Sequence, residues 1–122
     1  MWPSRLSRLQ HQGQQWEQEA LRYLQKRGLR LVEANFRCKG GEIDLVMRDG
    51  EALVFVEVRQ RAGSDHGGAA ASIGPAKIRR LLHAAQFYLQ RFACMPACRI
   101  DVVAIDGTVI AWLPNALECK HF

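Results

Sequence analysis

The chain has 122 residues, 48% of them hydrophobic and 24% charged, which excludes a largely disordered polymer and leaves room for one domain with its own core. Its apolar runs, such as Leu53-Val54-Phe55-Val56, fall far short of the ~20 residues that a membrane helix needs. Seventeen Lys and Arg against twelve Asp and Glu give a net charge of +5, so the electrostatically favoured partner is a polyanion.

Residues 1–12 are polar and basic, with no apolar stretch or small-residue cleavage site of the secretory kind. They are read as a flexible lead-in, and the protein as cytoplasmic. Cys38, Cys94, Cys98 and Cys119 include no C-x-x-C pair, a poor zinc pattern that points to thiols in a reducing compartment. From Gly13, the apolar residues Trp16, Ala20, Tyr23 and Leu24 recur at helical spacing, and Gly28 closes that helix behind Lys26 and Arg27. Leu29 to Arg37 alternates imperfectly, as a strand, before the turn signal Lys39-Gly40-Gly41. Two β-rich runs, Ile43–Met47 and Leu53–Val58, flank Asp49-Gly50, the favoured two-residue hairpin loop.

Residues Gln60 to Gly74 are rich in Gly and Ala, have few packing groups, and are expected to form a mobile loop. Ser72 and Pro75 suit the start of a second helix, which runs to about Arg91 with Ile78, Leu81, Leu82, Ala85 and Leu89 as its apolar stripe. A strand from Cys98 to Ile105, a turn at Asp106-Gly107 and a strand from Val109 to Leu113 complete a domain over residues 13–114, leaving 115–122 as a tail. The order α-β-β-β-α-β-β predicts an α/β fold with a mixed central sheet flanked by helices.

A loop at Asp49-Gly50 sets Arg48 opposite Glu51, Asp44 opposite Phe55 and Glu42 opposite Glu57. Glu42, Asp44, Glu57 and Arg59 then share one face, with Ile43, Leu45, Val54, Val56 and Val58 on the other. Asp44 and Glu57 become diagonal neighbours, Cα atoms about 7–8 Å apart, which a divalent cation can bridge. Carboxylates gathered on an apolar hairpin repel one another unless a cation compensates. Arg59, a metal ion or both would serve; ordinary surface salt bridges are the plainer alternative.

Gly41-Glu42-Ile43-Asp44-Leu45 followed by Glu57-Val58-Arg59 resembles the D…E-x-K signature of the PD-(D/E)XK nuclease superfamily. With Gly13, Glu17, Ala20, Tyr23-Leu24, Asn35, Arg37, Phe55-Val56-Glu57-Val58, Arg61, Lys77 and Asp101, the span from Gly13 to Ile105 is similar to the YraN-like family of uncharacterised bacterial proteins. The resemblance implies a three-layer, restriction-endonuclease-like core, as in archaeal Holliday junction resolvases. It further implies a Mg²⁺-dependent endonuclease, with Mn²⁺ as a substitute ion, acting on nucleic acid and on branched DNA foremost.

In that reading Asp44 and Glu57 hold the metal together with the Val58 carbonyl, Glu17 joins them from the first helix, and Glu42 stands behind the ligands. Arg61, Lys77 and Arg80 bind nucleic acid, and the analogy with resolvases suggests a homodimer. Arg59 departs from the superfamily pattern, which has Lys there. As a catalytic residue beside Asp44 and Glu57, Arg59 would grip a phosphate bidentately and stabilise the transition state, but arginine does not give up its proton near neutral pH. A nucleic-acid-binding protein of the same fold, weak or inactive as a catalyst, is therefore the alternative. A protein-interaction domain with a purely structural acidic cluster is a third. Asp101 suits either the site or a pairing with an arginine, and His66 either a phosphate contact or solvent.

Overall fold

The computed structural model describes residues 8–61 and 68–117, with side chains from Gln15 onward. Its elements are α1 (Arg8–Gln25), β1 (Arg30–Cys38), β2 (Gly41–Asp49), β3 (Ala52–Arg61), α2 (Gly68–Ala71), α3 (Pro75–Leu89), β4 (Cys98–Asp106) and β5 (Val109–Leu117). The fold is α/β. One five-stranded sheet runs in the order β1-β2-β3-β4-β5, antiparallel except for the parallel β3–β4 pair. A parallel pair cannot be joined by a tight turn, and the crossover from Arg61 to Cys98 contains α2 and α3.

Two apolar layers hold the helices on the sheet. Ala20, Leu21 and Leu24 of α1 pack with Leu45, Met47, Val54, Val56, Val103 and Ile105 on one face. Leu81, Ala84, Ala85, Tyr88 and Leu89 of α3 pack with Phe36, Ile43, Val46, Leu53, Phe55 and Ile100 on the other. Strand β3 is therefore covered on both sides, and Leu53, Val54, Phe55 and Val56 are fully buried. Each contributes about 1.5–3 kcal/mol by leaving water.

Helix α1 begins at Arg8, inside the stretch expected as a lead-in, and ends where Gly28 takes a φ of +98°. The Gly28 amide donates to the Gln25 carbonyl and the Leu29 amide to the Leu24 carbonyl, a Schellman arrangement sealed by the burial of Leu24 and Leu29 in one cluster. Strand β3 extends to Arg61 and β5 to Leu117, both longer than expected. The Gly- and Ala-rich segment includes a helical turn, α2, whose Ala69 is fully buried; small side chains let it pack close. His66 lies outside the described residues, as do Cys119 and His121, and so does the side chain of His11.

The β2–β3 register corrects the expected one by two residues. Asp49 pairs with Ala52 and Leu45 with Val56, so the loop is Gly50-Glu51. Gly50 supplies the positive φ of +60° at the first loop position, the arrangement of a type II′ turn. The β4–β5 hairpin repeats this with Gly107 at +61° and Asp106 paired with Val109. In both turns the aspartate is the last strand residue and a glycine takes the positive φ at no steric cost.

Gly41 marks a close approach of β2 to α3. A Cβ there would strike the Arg80 carbonyl oxygen and lie 3.0 Å from Ala84. Gly41→Ala should therefore destabilise the fold by about 1–3 kcal/mol, the usual range for overpacking a tight contact. Urea denaturation reads this directly, and an unchanged midpoint would contradict it.

Candidate active site

Asp44 stands where the β2–β3 ladder stops. The last paired residues are Leu45 and Val56, and one step further the register sets Asp44 opposite Glu57. The expected Glu42–Glu57 pairing is not found, and Asp44 and Glu57 meet through their side chains just past the end of the ladder. Beyond Leu45 the strands part, because Asp44 Oδ2 accepts the Val58 amide hydrogen at 2.8 Å. The side chain replaces a backbone carbonyl.

The two faces of β2 also exchange here. Ile43 packs in the α3 layer and Leu45 in the α1 layer, whereas the sequence placed them together. Opposite, Ala34 pairs with Leu45 and Phe36 with Ile43, and the intervening Asn35 has a φ of +54°. Asparagine is among the few non-glycine residues that tolerate this left-handed backbone. The local twist brings Asp44 to the junction of the two layers, where Glu17 approaches from α1 and Lys77 from α3.

The carboxyl groups are short of counter-charge. Glu57 is 2% exposed. Burial first, and then the hydrogen bond and negative charge of Asp44, push its carboxyl up to about 10 against the opposing pull of Lys77. Glu17 is raised to about 8 by burial, then by the charge of Asp44 and a hydrogen bond to it, with the Asn35 side chain pulling the other way. Burial acts to lower Lys77, but Glu57, Asp44 and Glu42 outweigh it and the ammonium is held above its usual range. Lys77 Nζ lies 3.2 Å from Glu42 Oε1 and 3.5 Å from Glu57 Oε2. The second contact is too long to satisfy the oxygen: Glu57 Oε2 and Glu17 Oε2 are buried and accept no hydrogen bond. Arg37 reaches Glu42 at 3.7 Å from an exposed position, a contact contributing at most about 1 kcal/mol.

Four carboxyl groups thus meet one fully engaged ammonium. At neutral pH Glu17 and Glu57 retain protons in place of the missing positive charge. Among the described residues no three acid, histidine or cysteine side chains are already arranged to hold a metal ion. The chemistry nevertheless fits one: the donors are all hard oxygens, and two buried oxygens lack partners. A divalent ion would displace the protons and draw Asp44, Glu57 and Glu17 inward.

Arg59 does not join the acids. Its Nε donates to Ser72 Oγ at 2.8 Å, and Ser72 Oγ donates to the Ala69 carbonyl at 2.6 Å. The guanidinium is tied to the end of α2. Arg61 and Arg80 are exposed, and of the three residues expected to touch nucleic acid only Lys77 reaches the cluster. Asp101 is fully buried but belongs to a different network. Its Oδ1 accepts from Arg99 Nε at 3.0 Å and the Asn115 amide at 2.8 Å, and its Oδ2 from Trp112 Nε1 at 2.9 Å. Arg99 also reaches Asp49 at 3.0 Å. Of the two expectations for Asp101, the arginine pairing is the one found.

Sequence reasoning did not assign Asn35, Ser72 or the ion-pairing position of Lys77. A polar residue between the strand's apolar residues Ala34 and Phe36 hinted at Asn35. Lys77 was expected to contact nucleic acid, and nothing in its spacing showed that it would pair with Glu42 and Glu57.

The family model for the uncharacterised protein family UPF0102 matches residues 16–105. The chain belongs to UPF0102. A UPF0102 protein of Herminiimonas arsenicoxydans is 66% identical over 106 residues, covering 87% of this chain and 86% of that one. One from Janthinobacterium sp. (strain Marseille) is 62% identical with the same coverage, and one from Ralstonia pickettii (strain 12J) is 59% identical over 85% of this chain and 87% of its own. Glu17, Asn35, Glu42, Asp44, Glu57 and Lys77 all fall within the UPF0102 match.

Two outcomes follow from these environments. Glu17 and Glu57 bind protons more tightly folded than unfolded, so their contribution to stability is lost as pH rises from about 4.5 towards their folded values. Glu57→Gln cannot ionise, so its melting temperature should gain on that of the parent steadily from pH 5 to pH 9 without metal. A pH-independent difference would refute the assignment. Asp101→Ala leaves Arg99 without its buried partner and should cost about 3–5 kcal/mol, measured by denaturation.

Proposed function

We propose that this protein is a Mg²⁺-dependent phosphodiesterase acting on nucleic acid, an endonuclease for which branched DNA is the leading substrate. The observation that carries this is the pair of buried, unpartnered carboxyl oxygens on Glu17 and Glu57, set on either side of Asp44. Burial of this kind lowers stability unless a ligand offsets it, and a hard cation is the ligand those oxygens would take. Bound there, the ion supplies positive charge at a phosphate oxygen and lowers the pKa of a coordinated water.

The chain's own residues do the rest. Asp44 and Glu57 hold the ion, with Glu17 as a further ligand and the Val58 amide fixing the Asp44 carboxylate. Glu42 holds Lys77 beside them. A basic rim supports a polyanionic substrate: Arg37 and Lys39 are exposed at the β1–β2 turn, and Arg79 and Arg80 on α3. The hydrogen-bond contact between His83 Nε2 and the Lys39 carbonyl at 3.0 Å joins these two surfaces. Arg37 of this rim lies 3.7 Å from Glu42, so the rim borders the acid cluster.

Arg59 favours a second reading. With its guanidinium on Ser72, the cation that the motif expects is absent from the acids, as in a module that binds nucleic acid without cutting it. One experiment separates the two. Purified protein is assayed on duplex and four-way-junction DNA with Mg²⁺ or Mn²⁺, alongside a salt titration of binding. Metal-dependent cleavage that Asp44→Ala lowers at least about 100-fold, as expected for losing a metal site worth several kcal/mol, supports the nuclease. Binding with a steep salt dependence and no turnover supports the module. Cleavage by Asp44→Ala at the parent rate would overturn the site.

A further inference from the structure

The D…E-x-K pattern puts its cation two residues after the second acid, yet Arg59 is engaged elsewhere. Its Nε is bound to Ser72 Oγ at 2.8 Å, and that hydroxyl is itself held by the Ala69 carbonyl. The positive charge that does reach the acids comes from α3. Lys77 Nζ is 3.2 Å from Glu42 Oε1 and 3.5 Å from Glu57 Oε2, with its side chain only 22% exposed. It sits in the first turn of a helix whose next turns are packed on the sheet through Leu81, Ala84 and Ala85, so its backbone is firmly placed.

We infer that Lys77 is the working cation of this site: it offsets the charge of Glu42 and lies against Glu57 while no metal is bound, and a divalent ion that takes Glu57 releases its ammonium to a substrate phosphate. The inference rests on the metal-dependent reading above and adds the residue and the exchange. Its physical basis is competition. Two positive charges cannot share one buried carboxylate without repulsion, and the divalent ion, with Asp44 and Glu17 as further ligands, has the larger claim. Lys77 has a flexible four-carbon stem and rotatable donors, so it can leave Glu57 without any movement of α3. Arg59 then has a different task, fastening α2 to β3.

The test uses the full chain and two readouts. Mn²⁺ affinity is measured by titration calorimetry for the parent, Lys77→Met, Lys77→Arg and Arg59→Gln. Removal of the competing ammonium should tighten Mn²⁺ about tenfold in K77M, while K77R and R59Q stay within about twofold of the parent. Binding of a DNA duplex is then compared with and without Ca²⁺, which permits binding without turnover. The parent should gain affinity with the ion, K77R should keep most of that gain, and K77M should lose it. Unchanged or weaker Mn²⁺ binding in K77M overturns the inference, as does a Ca²⁺-dependent gain equal to the parent's. If K77M does not fold, Lys77→Gln reads the same two quantities. A parent that shows both effects yet cleaves nothing defeats the nuclease reading and leaves the role of Lys77 standing.

Discussion

The hydrogen bond from the Val58 amide to Asp44 Oδ2 governs the geometry around the acids. Continued pairing of β2 and β3 would give that amide a backbone acceptor and close the sheet. The carboxylate takes it instead, and the strands diverge from Leu45 and Val56 onward. The opening lies between the α1 layer and the α3 layer, so side chains from opposite faces of the sheet can meet in it. Glu17 and Lys77 do so, although the helices that carry them have separate cores. Asn35 completes the device: its left-handed backbone exchanges the faces of the β1–β2 ribbon beside Asp44, and its side chain lies against Glu17. One aspartate thus ends a ladder, opens a fork and stands at the centre of the cluster.

Much of this was legible because a strand's side chains repeat every two residues. The expected hairpin register was wrong by two, which preserves parity, so Asp44 and Glu57 were placed on a shared side for a reason that survives the correction. The error came from centring the loop on Asp-Gly, whereas both hairpins of this chain put glycine first in the loop and leave the aspartate in the strand. Nothing local revealed the exchange of faces at Asp44, because it depends on a positive φ in the neighbouring strand. Nor could spacing show that Lys77, on an element 20 residues beyond Glu57, would approach it while Arg59 turned to Ser72. Contacts made by tertiary packing leave no periodic trace. The small side chains before α3 read as a loop for a similar reason: their packing value lies in what they allow to come close.

The sheet buries two sets of carboxylates in contrasting ways. Asp101 is sealed completely, and an arginine, an indole N–H and a backbone amide occupy its oxygens. Such a group fixes the relative placement of β4, β5 and the β2–β3 turn, and removal of any partner would expose its burial as a penalty. Glu17 and Glu57 have no comparable provision. Their carboxyls are crowded by Asp44, pushed towards protonation, and left with bare oxygens. Both arrangements occur in one small domain, so the difference does not reflect a general scarcity of donors. Among the described residues the buried side-chain oxygens without a hydrogen bond fall in this one cluster, the pattern expected of a ligand site, where a bound group restores what folding leaves incomplete.

The overall and local charges then act in opposite senses on the same partner. A net charge of +5 and the basic rim on α3 and the β1–β2 turn would attract a polyanion, but the acids beside that rim would repel phosphate. Protonation relieves that repulsion only by removing the ligands a metal needs. In the proposed reading, a divalent ion would relieve it while keeping the carboxylates ionised, and would leave Lys77 free of Glu57. Under the metal-dependent reading proposed above, metal and polyanion would favour each other's binding, by the reciprocity that links any two ligands sharing a site. The coupling would follow from placing acids beside a basic rim, and it would hold whether a bound strand were cut or only held.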